Sequence, residues 1–274
     1  MKTIKKIAVA IDFSNNSRAA YKYAKGLAKH VGAELALINI YSIPINPYSE
    51  NGFGFIPDID QEVKATLTAL RRFAHDKTVK CAVYTGFPAK ELVKLSKEKV
   101  FDLLIVGNND ERGLLTQLFG SVAIEVAKKA HCPVLLVPPK SKYMDITDIV
   151  YTTSELSASG DGIAVTKDWA KVFDAKIHFV HVESADSKGK MPDIAAFMKD
   201  SNIDYAVKDL EFVTVRGAID NYCEQKHIGL IVSMTQNHSF WDSIFHRSVT
   251  SALAWNSRLP LLVLHKDVIE AHAV

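Results

Sequence analysis

The sequence predicts an α/β protein of two tandem, doubly wound domains, each a five-stranded parallel sheet with helices on both faces. Three observations predict it. First, the chain repeats itself. "KIAVAIDFSNNSRAAYKYAKGLAKHVGAELALINIY" and "DIVYTTSELSASGDGIAVTKDWAKVFDAKIHFVHVE" follow one order without a gap, with Ile7 matching Ile149, Ala33 matching Ala175 and Ile40 matching Val182. Such self-similarity marks a duplicated structural unit. Second, apolar runs alternate with helical patterns, as they do when crossover helices join parallel strands. Third, the runs at 103–106, 134–137 and 261–264 are apolar throughout, as strands buried on both faces must be.

The elements follow in order. The run from Ile7 to Ile11 reads as a strand, "DFSNNS" as a polar turn, the next stretch as a helix, and "LALINIY" as a second strand. Residues 42–60, "SIPINPYSENGFGFIPDID", are rich in Pro, Gly and Asn and hold no period. They are expected to form a long loop, either a lid or contact surface or plain surface irregularity. Helix, strand and helix then lead to "FDLLIVG", a further helix and "PVLLVP". The back halves agree as well: "FDLLIVG" parallels "HIGLIVS", and "KKAHCPVLLVP" parallels "AWNSRLPLLVL". The halves meet at "PPKSKYMD", where paired prolines end a strand, so the expected domains are 1–140 and 141–274.

Composition narrows the classes of function. The 274 residues are 48% hydrophobic and 23% charged, with a formal charge of +2. So balanced a charge points neither to nucleic acid nor to an anionic membrane as a partner. The N-terminal "MKTIKKIAVAIDF" imitates a signal peptide, but Asp12 cuts the apolar run short of an h-region, and no run reaches spanning length. Cys81, Cys132 and Cys223 are too few and scattered for a disulfide framework. Reduced thiols and a cytoplasmic location are the expectation.

In open parallel sheets, ligands lie beyond the carboxyl ends of the strands, near the reversal of strand order. The residues there are Ile11 to Ser14, Ile40, Tyr41, Val106 to Asp110, and Pro138. Gly107 ends a strand, where a missing side chain lets a ligand approach the backbone. Gly120 and Ser121 open the helical stretch "SVAIEVAKKA", whose first turn offers free N–H groups to a phosphate. A turn glycine and a serine N-cap would look the same. Asp12 at the same edge can accept a hydrogen bond from the amino group of a base, or cap the helix that follows, as Ser14 or Asn16 could instead. Ile40 and Val106 have apolar bodies suited to a base or ribose, or simply to the core.

"IAVAIDFSNNSRAAYKYA", "LALINIY" and "LLIVGNNDERGLLTQLFGSVAIEVAKKAHCPVLLVPP" resemble the universal stress protein family. Both halves match, so the resemblance is to a tandem member and spans nearly the whole chain. It implies an adenine nucleotide alpha hydrolase-like fold. The family's nucleotide-binding branch carries G-x-x-G, nine residues, then G-[ST]. By resemblance, Asp12 meets adenine, and Ile11 and Ile40 flank base and ribose, with Val106 closing its strand beside them. Gly107 is the first glycine, Gly120 and Ser121 are the closing pair, and Val122 and Ala123 supply the next backbone donors. Asn109 belongs to the same loop. Asp110 departs from the pattern by taking the place of the second glycine. A carboxylate about 4–6 Å from a triphosphate opposes it by about 1 kcal/mol even when partly screened. Arg112, a displaced Gly113 or a bound Mg²⁺ with Asp110 as ligand would offset this.

The second half departs further. Aligned on its strands, Ser154 replaces Asp12, Ser233 replaces Gly107, and Arg247 with Ser248 replace Gly120 with Ser121. Its loop reads one residue longer and carries Phe240, Trp241 and Phe245. The resemblance also implies that "PVLLVP" and "PLLVLH" meet edge to edge as an intramolecular pseudo-dimer, which protects two apolar edges. It leaves a further homodimer open.

Sharper motifs are missing. There is no G-x-x-x-x-G-K-[ST], no G-x-S-x-G and no H-E-x-x-H, and "GDG" at 160–162 lacks its third glycine at Val165. His178 and His181 stand at odd spacing on one strand and so face opposite sides. No set of residues suits bond-making chemistry, and nothing positions a water for ATP hydrolysis. The expected function is a cytoplasmic stress-response protein that binds an ATP-type adenine nucleotide, with or without Mg²⁺, in its first domain, beside unknown protein partners. The alternative is a non-nucleotide interaction module whose residues 42–60 and 236–246 bind proteins.

Overall fold

In the computed structural model, the structure describes residues 4–43, 58–107, 121–153, 159–183, 194–211, 215–234 and 259–265. The first half runs β1 (Lys6–Ala10), α1 (Asn15–Val31), β2 (Glu34–Tyr41), α2 (Ile59–Ala74), β3 (Lys80–Thr85), α3 (Pro88–Lys97), β4 (Leu103–Gly107), α4 (Ser121–Lys129) and β5 (Val134–Val137). The second runs β6 (Asp148–Thr153), α5 (Ser159–Phe173), β7 (Lys176–Glu183), α6 (Ile194–Met198), β8 (Tyr205–Glu211), α7 (Val215–Lys226), β9 (Leu230–Met234) and β10 (Leu261–Leu264). The strands form one sheet of ten in the order β3-β2-β1-β4-β5-β10-β9-β6-β7-β8. Each half is therefore a five-stranded parallel array in the order 3-2-1-4-5, as the α/β reading expects.

The halves join where β5 and β10 pair antiparallel, with Leu261 opposite Leu136, Leu262 opposite Leu135 and Val263 opposite Val134. Side chains alternate across the sheet, so two cores form. Ile7 and Val9 lie with α1, α2 and α5 on one face, and Ala8 lies with α3, α4 and α7 on the other. Leu135 and Leu262 extend the first core through the junction, and Leu136 and Leu261 extend the second. Neither core stops at the boundary between halves.

Local signals set the helix ends. Ser14 caps α1, its hydroxyl accepting from the Ser17 N–H at 3.1 Å, and Gly32 closes it in the left-handed region at φ 68°. At α2, Asp58 accepts from the Gln61 N–H at 3.1 Å. The expected loop at 42–60 thus ends early: Asp58 is a cap, and Ile59 and Asp60 are already helical. An Asp followed three residues later by Gln is an N-terminal signature hidden behind the irregular stretch. Residues 44–57 lie outside the described residues.

Tyr143, in the connection between β5 and β6, lies on Gly26 of α1, where a Cβ would come within 2.5 Å of its ring. His30 of α1 meets Phe173 of α5 at 4.9 Å between centroids. His178 is buried between the Tyr222 hydroxyl and the Asp148 carboxylate, each at 2.8 Å, a network internal to the second half. The shared cores predict that Leu262→Ala destabilises the chain by about 2–5 kcal/mol in a single urea transition. Two separate transitions would show that the halves unfold independently.

Candidate functional site

A cavity of about 270 Å³ lies at the carboxyl ends of β1, β2 and β4, where the strand order of the first half reverses. Of the candidate residues, Ile11, Asp12, Ile40, Val106, Gly107, Ser121, Val122 and Ala123 all line it. Asn109, Asp110 and Gly120 lie outside the described residues, as do Arg112 and Gly113. Ser14, Asn16, Ser17, Asn39, Pro88 and Leu92 line it too, and the sequence reading assigned none of them to a ligand. Their signal is weak in sequence, because each sits in a helix, at a helix cap or in a strand that explains it without a ligand.

The floor is apolar. Ile38, Leu92, Val106 and the half-buried Ile40 belong to the core under α3 and α4, whereas the Ile11 side chain joins the opposite core under α1 and α2. Ile11 and Ile40 therefore do not share a face. What Ile11 contributes locally is its peptide: its N–H donates to the Ile38 carbonyl and its carbonyl accepts from Asn39 Nδ2, both at 2.8 Å.

That anchored peptide leads into Asp12. The Asp12 carboxylate accepts from the Ser14 N–H at 3.0 Å, so it fixes the turn before α1 while Ser14 serves as the cap. Burial pushes its pKa up, but hydrogen bonds from Ser14 and Ser17 outweigh this, and the net value falls below the ordinary 3.8. Asp12 is an anionic acceptor at neutral pH. Between the two, Phe13 takes φ 65°, a left-handed conformation uncommon for a bulky residue. Its ring stacks edge-on to Phe73 of α2 at 5.7 Å, and the Arg18 guanidinium covers Phe73 at 4.3 Å. These contacts hold the strained turn in place.

Gly107 has a different reason from the one expected. A Cβ there would lie 2.6 Å from the Asn16 carbonyl oxygen and 2.8 Å from its carbon. Protein backbone, rather than a ligand, occupies the space, and the glycine lets the first turn of α1 close onto the end of β4. Opposite stands the start of α4, with Ser121 exposed and Ala123 buried. The leading N–H groups of a helix have no intrahelical partner and suit an anion.

The second half shows a correction. In the first half Ile7 pairs with Leu103 and Gly107 with Val137; in the second, Ile149 pairs with Leu230 and Met234 with Leu264. The counterpart of Gly107 is therefore Met234, and Ser233 corresponds to Val106. The apparent extra loop residue vanishes, since Met234 to Arg247 spans the same interval as Gly107 to Gly120. A buried, mostly apolar strand carries little mark of its register, and the one small residue, Ser233, sits a position before the true counterpart of Gly107. Buried Met234 and Tyr151 (the counterpart of Val9) crowd Gly162 of α5, where a Cβ would meet the Tyr151 oxygen at 2.5 Å and the Met234 sulfur at 2.7 Å. A thioether fills the position that is bare in the first half. Ser154, Phe240, Trp241, Phe245, Arg247 and Ser248 lie outside the described residues.

Among the described residues, no three His, Cys, Asp or Glu side chains gather as a metal site, and no helix is long and apolar enough to cross a membrane.

Fold and site together define a doubly wound α/β protein with a switch-point cavity. Comparison with known proteins is specific. The profile of the universal stress protein family matches residues 3–138. A universal stress protein of Methanocaldococcus jannaschii is 34% identical over 145 residues, 50% of this chain and 84% of that one. The Bacillus subtilis universal stress protein YxiE is 32% identical over 48% of this chain and 97% of its own. The crystal structure of a universal stress protein from Archaeoglobus fulgidus superposes on 95% of this chain and 98% of that one, at TM-score 0.68 and 17% identity, a likeness of fold across both halves. The chain belongs to the universal stress protein family.

Two substitutions test the packing around the two counterpart positions. Gly107→Ala is expected to cost about 1–3 kcal/mol by overpacking, read by urea denaturation. Gly162→Ala is expected to destabilise similarly. In a Tyr151→Val, Met234→Gly background, which with Gly162→Ala recreates the trio Val9, Ala20 and Gly107, the added cost of Gly162→Ala is expected to fall towards zero; an undiminished cost refutes the correspondence.

Proposed function

We propose that the first half, residues 1–140, binds an adenine nucleotide of the ATP type, and that the second, 141–274, has lost its site and serves a structural or regulatory role. The observation that carries this reading is the convergence of Asp12, Ile40, Val106, Gly107 and Ser121 to Ala123 on one cavity. Its lining offers both an anionic acceptor, Asp12, and the donors of a helix start at Ser121 to Ala123. The Asp12 carboxylate accepts from the amino group of adenine, Ile40 and Val106 bed the base and ribose, and the α4 start with the Ser121 hydroxyl receives the phosphates. At 270 Å³ the cavity is just under the usual small-molecule range of about 300–1,000 Å³. It suits a nucleoside, with the phosphates spreading over the open helix start.

Asp110 opposes the triphosphate and weakens binding, and Mg²⁺ on the phosphates relieves that repulsion. Asn109 and Gly120 are assigned to the same phosphate side on the strength of the family pattern. The function is one of binding, with at most slow ATP hydrolysis, in a cytoplasmic protein.

Calorimetric titration with ATP, ADP and AMP, with and without Mg²⁺, tests it. Asp12→Ala is expected to weaken binding about tenfold or more, the range for a hydrogen bond to a charged group, and Asp110→Gly to tighten ATP. Because the Asp12 pKa is lowered below 3.8, the part of the affinity that Asp12→Ala removes persists through the ordinary carboxylate range and is lost only as pH drops through that lower value. The carboxylate's contribution to fold stability is present above 3.8 and is lost as pH falls from there through the lowered value. No binding at millimolar nucleotide in any condition overturns the proposal and favours an interaction module with both sites vestigial.

A further inference from the structure

We propose that Asn16 is a ligand-contacting, specificity-determining residue of this cavity, its Nδ2 donating to an acceptor oxygen in the sugar–phosphate portion of the bound molecule. The proposal rests on the nucleotide reading above and deepens it.

Asn16 is the second residue of α1, only 6% exposed, and lines the cavity. Its Nδ2 is buried without a hydrogen-bond partner. The neighbouring polar side chains of the same wall are satisfied within the protein. Asp12 accepts from the Ser14 N–H, Ser14 accepts from the Ser17 N–H, the Ser17 hydroxyl donates to the Ser14 carbonyl, and Asn39 donates to the Ile11 carbonyl. Asn16 stands apart from that pattern. Buried side-chain donors in folded proteins are nearly always paired, and leaving one unpaired is unfavourable.

The local fold gives no reason to keep an amide there. Ser14 already caps the helix, and Asn16 Nδ2 has no partner within it. What the fold needs from Asn16 is its backbone, pressed against Gly107. The side chain is thus free to serve another group, and an N–H donor requires an acceptor. Asp12 is itself an acceptor, suited to the amino edge of a base. Asn16, beside Gly107 where β4 ends, supplies the complementary donor on the side from which the chain continues toward the start of α4. Ribose hydroxyls and the first phosphate both present oxygen acceptors.

The test uses the full chain with Asn16→Leu, which keeps the bulk and removes the donor, and Asn16→Asp, which keeps the shape and replaces the donor with an anionic acceptor. Melting without ligand is combined with titration of adenosine, AMP and ATP. Asn16→Leu is expected to melt no lower than the unsubstituted protein, because an unpaired buried donor is gone, yet to bind about tenfold more weakly. Asn16→Asp is expected to lose more affinity for AMP and ATP than Asn16→Leu does. An equal loss for adenosine and AMP assigns the acceptor to the ribose, and a loss confined to AMP and ATP assigns it to the phosphate. A lower melting temperature with unchanged affinity makes Asn16 structural and overturns the proposal. If Asn16→Leu fails to fold, unchanged affinity of Asn16→Asp overturns it alone. Absence of any binding by the unsubstituted protein removes the nucleotide reading and this inference together.

Discussion

The site depends on the close approach of the first turn of α1 to the end of β4. The backbone of Asn16 lies where a side chain at position 107 would be, so only glycine permits the contact. From it follow the placement of Asn16 and Ser17 in the cavity wall, and the short turn that brings Asp12 to the sheet edge. The turn is strained at Phe13, and the strain is held by stacking on Phe73, a residue of a different helix. Position 107 therefore sets the geometry of the pocket through protein packing before any ligand arrives.

The two halves pack the same helix–sheet contact in two different ways. In the first half, Val9, Ala20 and Gly107 leave the α1–sheet interface tight and the strand end bare. In the second, Tyr151, Gly162 and Met234 occupy the same three places, and the glycine has moved from the strand to the helix. The bulk now sits on the sheet and the relief on α5. This exchange keeps the helix seated while filling the position at the strand end, so the half retains its fold without retaining the arrangement that Gly107 creates. The fold asks only that the volume at this contact be filled, by the Asn16 backbone against Gly107 in one half and by Met234 and Tyr151 against Gly162 in the other.

The junction sustains both halves. Pairing β5 with β10 joins two edges that would otherwise expose four-residue apolar strands, and it carries both hydrophobic layers across the boundary. Tyr143 on Gly26 and His30 on Phe173 tie the connection and the helices over the same seam. Packing is thus continuous through α1, whose first turn lines the cavity and whose last turn meets Phe173 of α5.

The class of fold and the outline of the site were legible because they rest on local chemistry. Alternation of apolar strands and helices dictated parallel sheets, the repeat dictated two halves, and Asp12, Gly107 and Ser121 stood out by type and position at strand ends and helix starts. Register was not legible: Leu230 to Met234 is an apolar strand with one serine, and only its hydrogen bonds to β6 and β10 show that Met234 rather than Ser233 faces the place of Gly107. Nor were Asn16, Asn39 and Leu92, ordinary members of a helix, a strand and a second helix whose meeting depends on crossovers. Sequence by itself determined which residues have chemistry to offer, since that is a property of the side chain. Tertiary structure alone decided which of them face one cavity and which are already satisfied, since those are properties of distance and of what else fills the space.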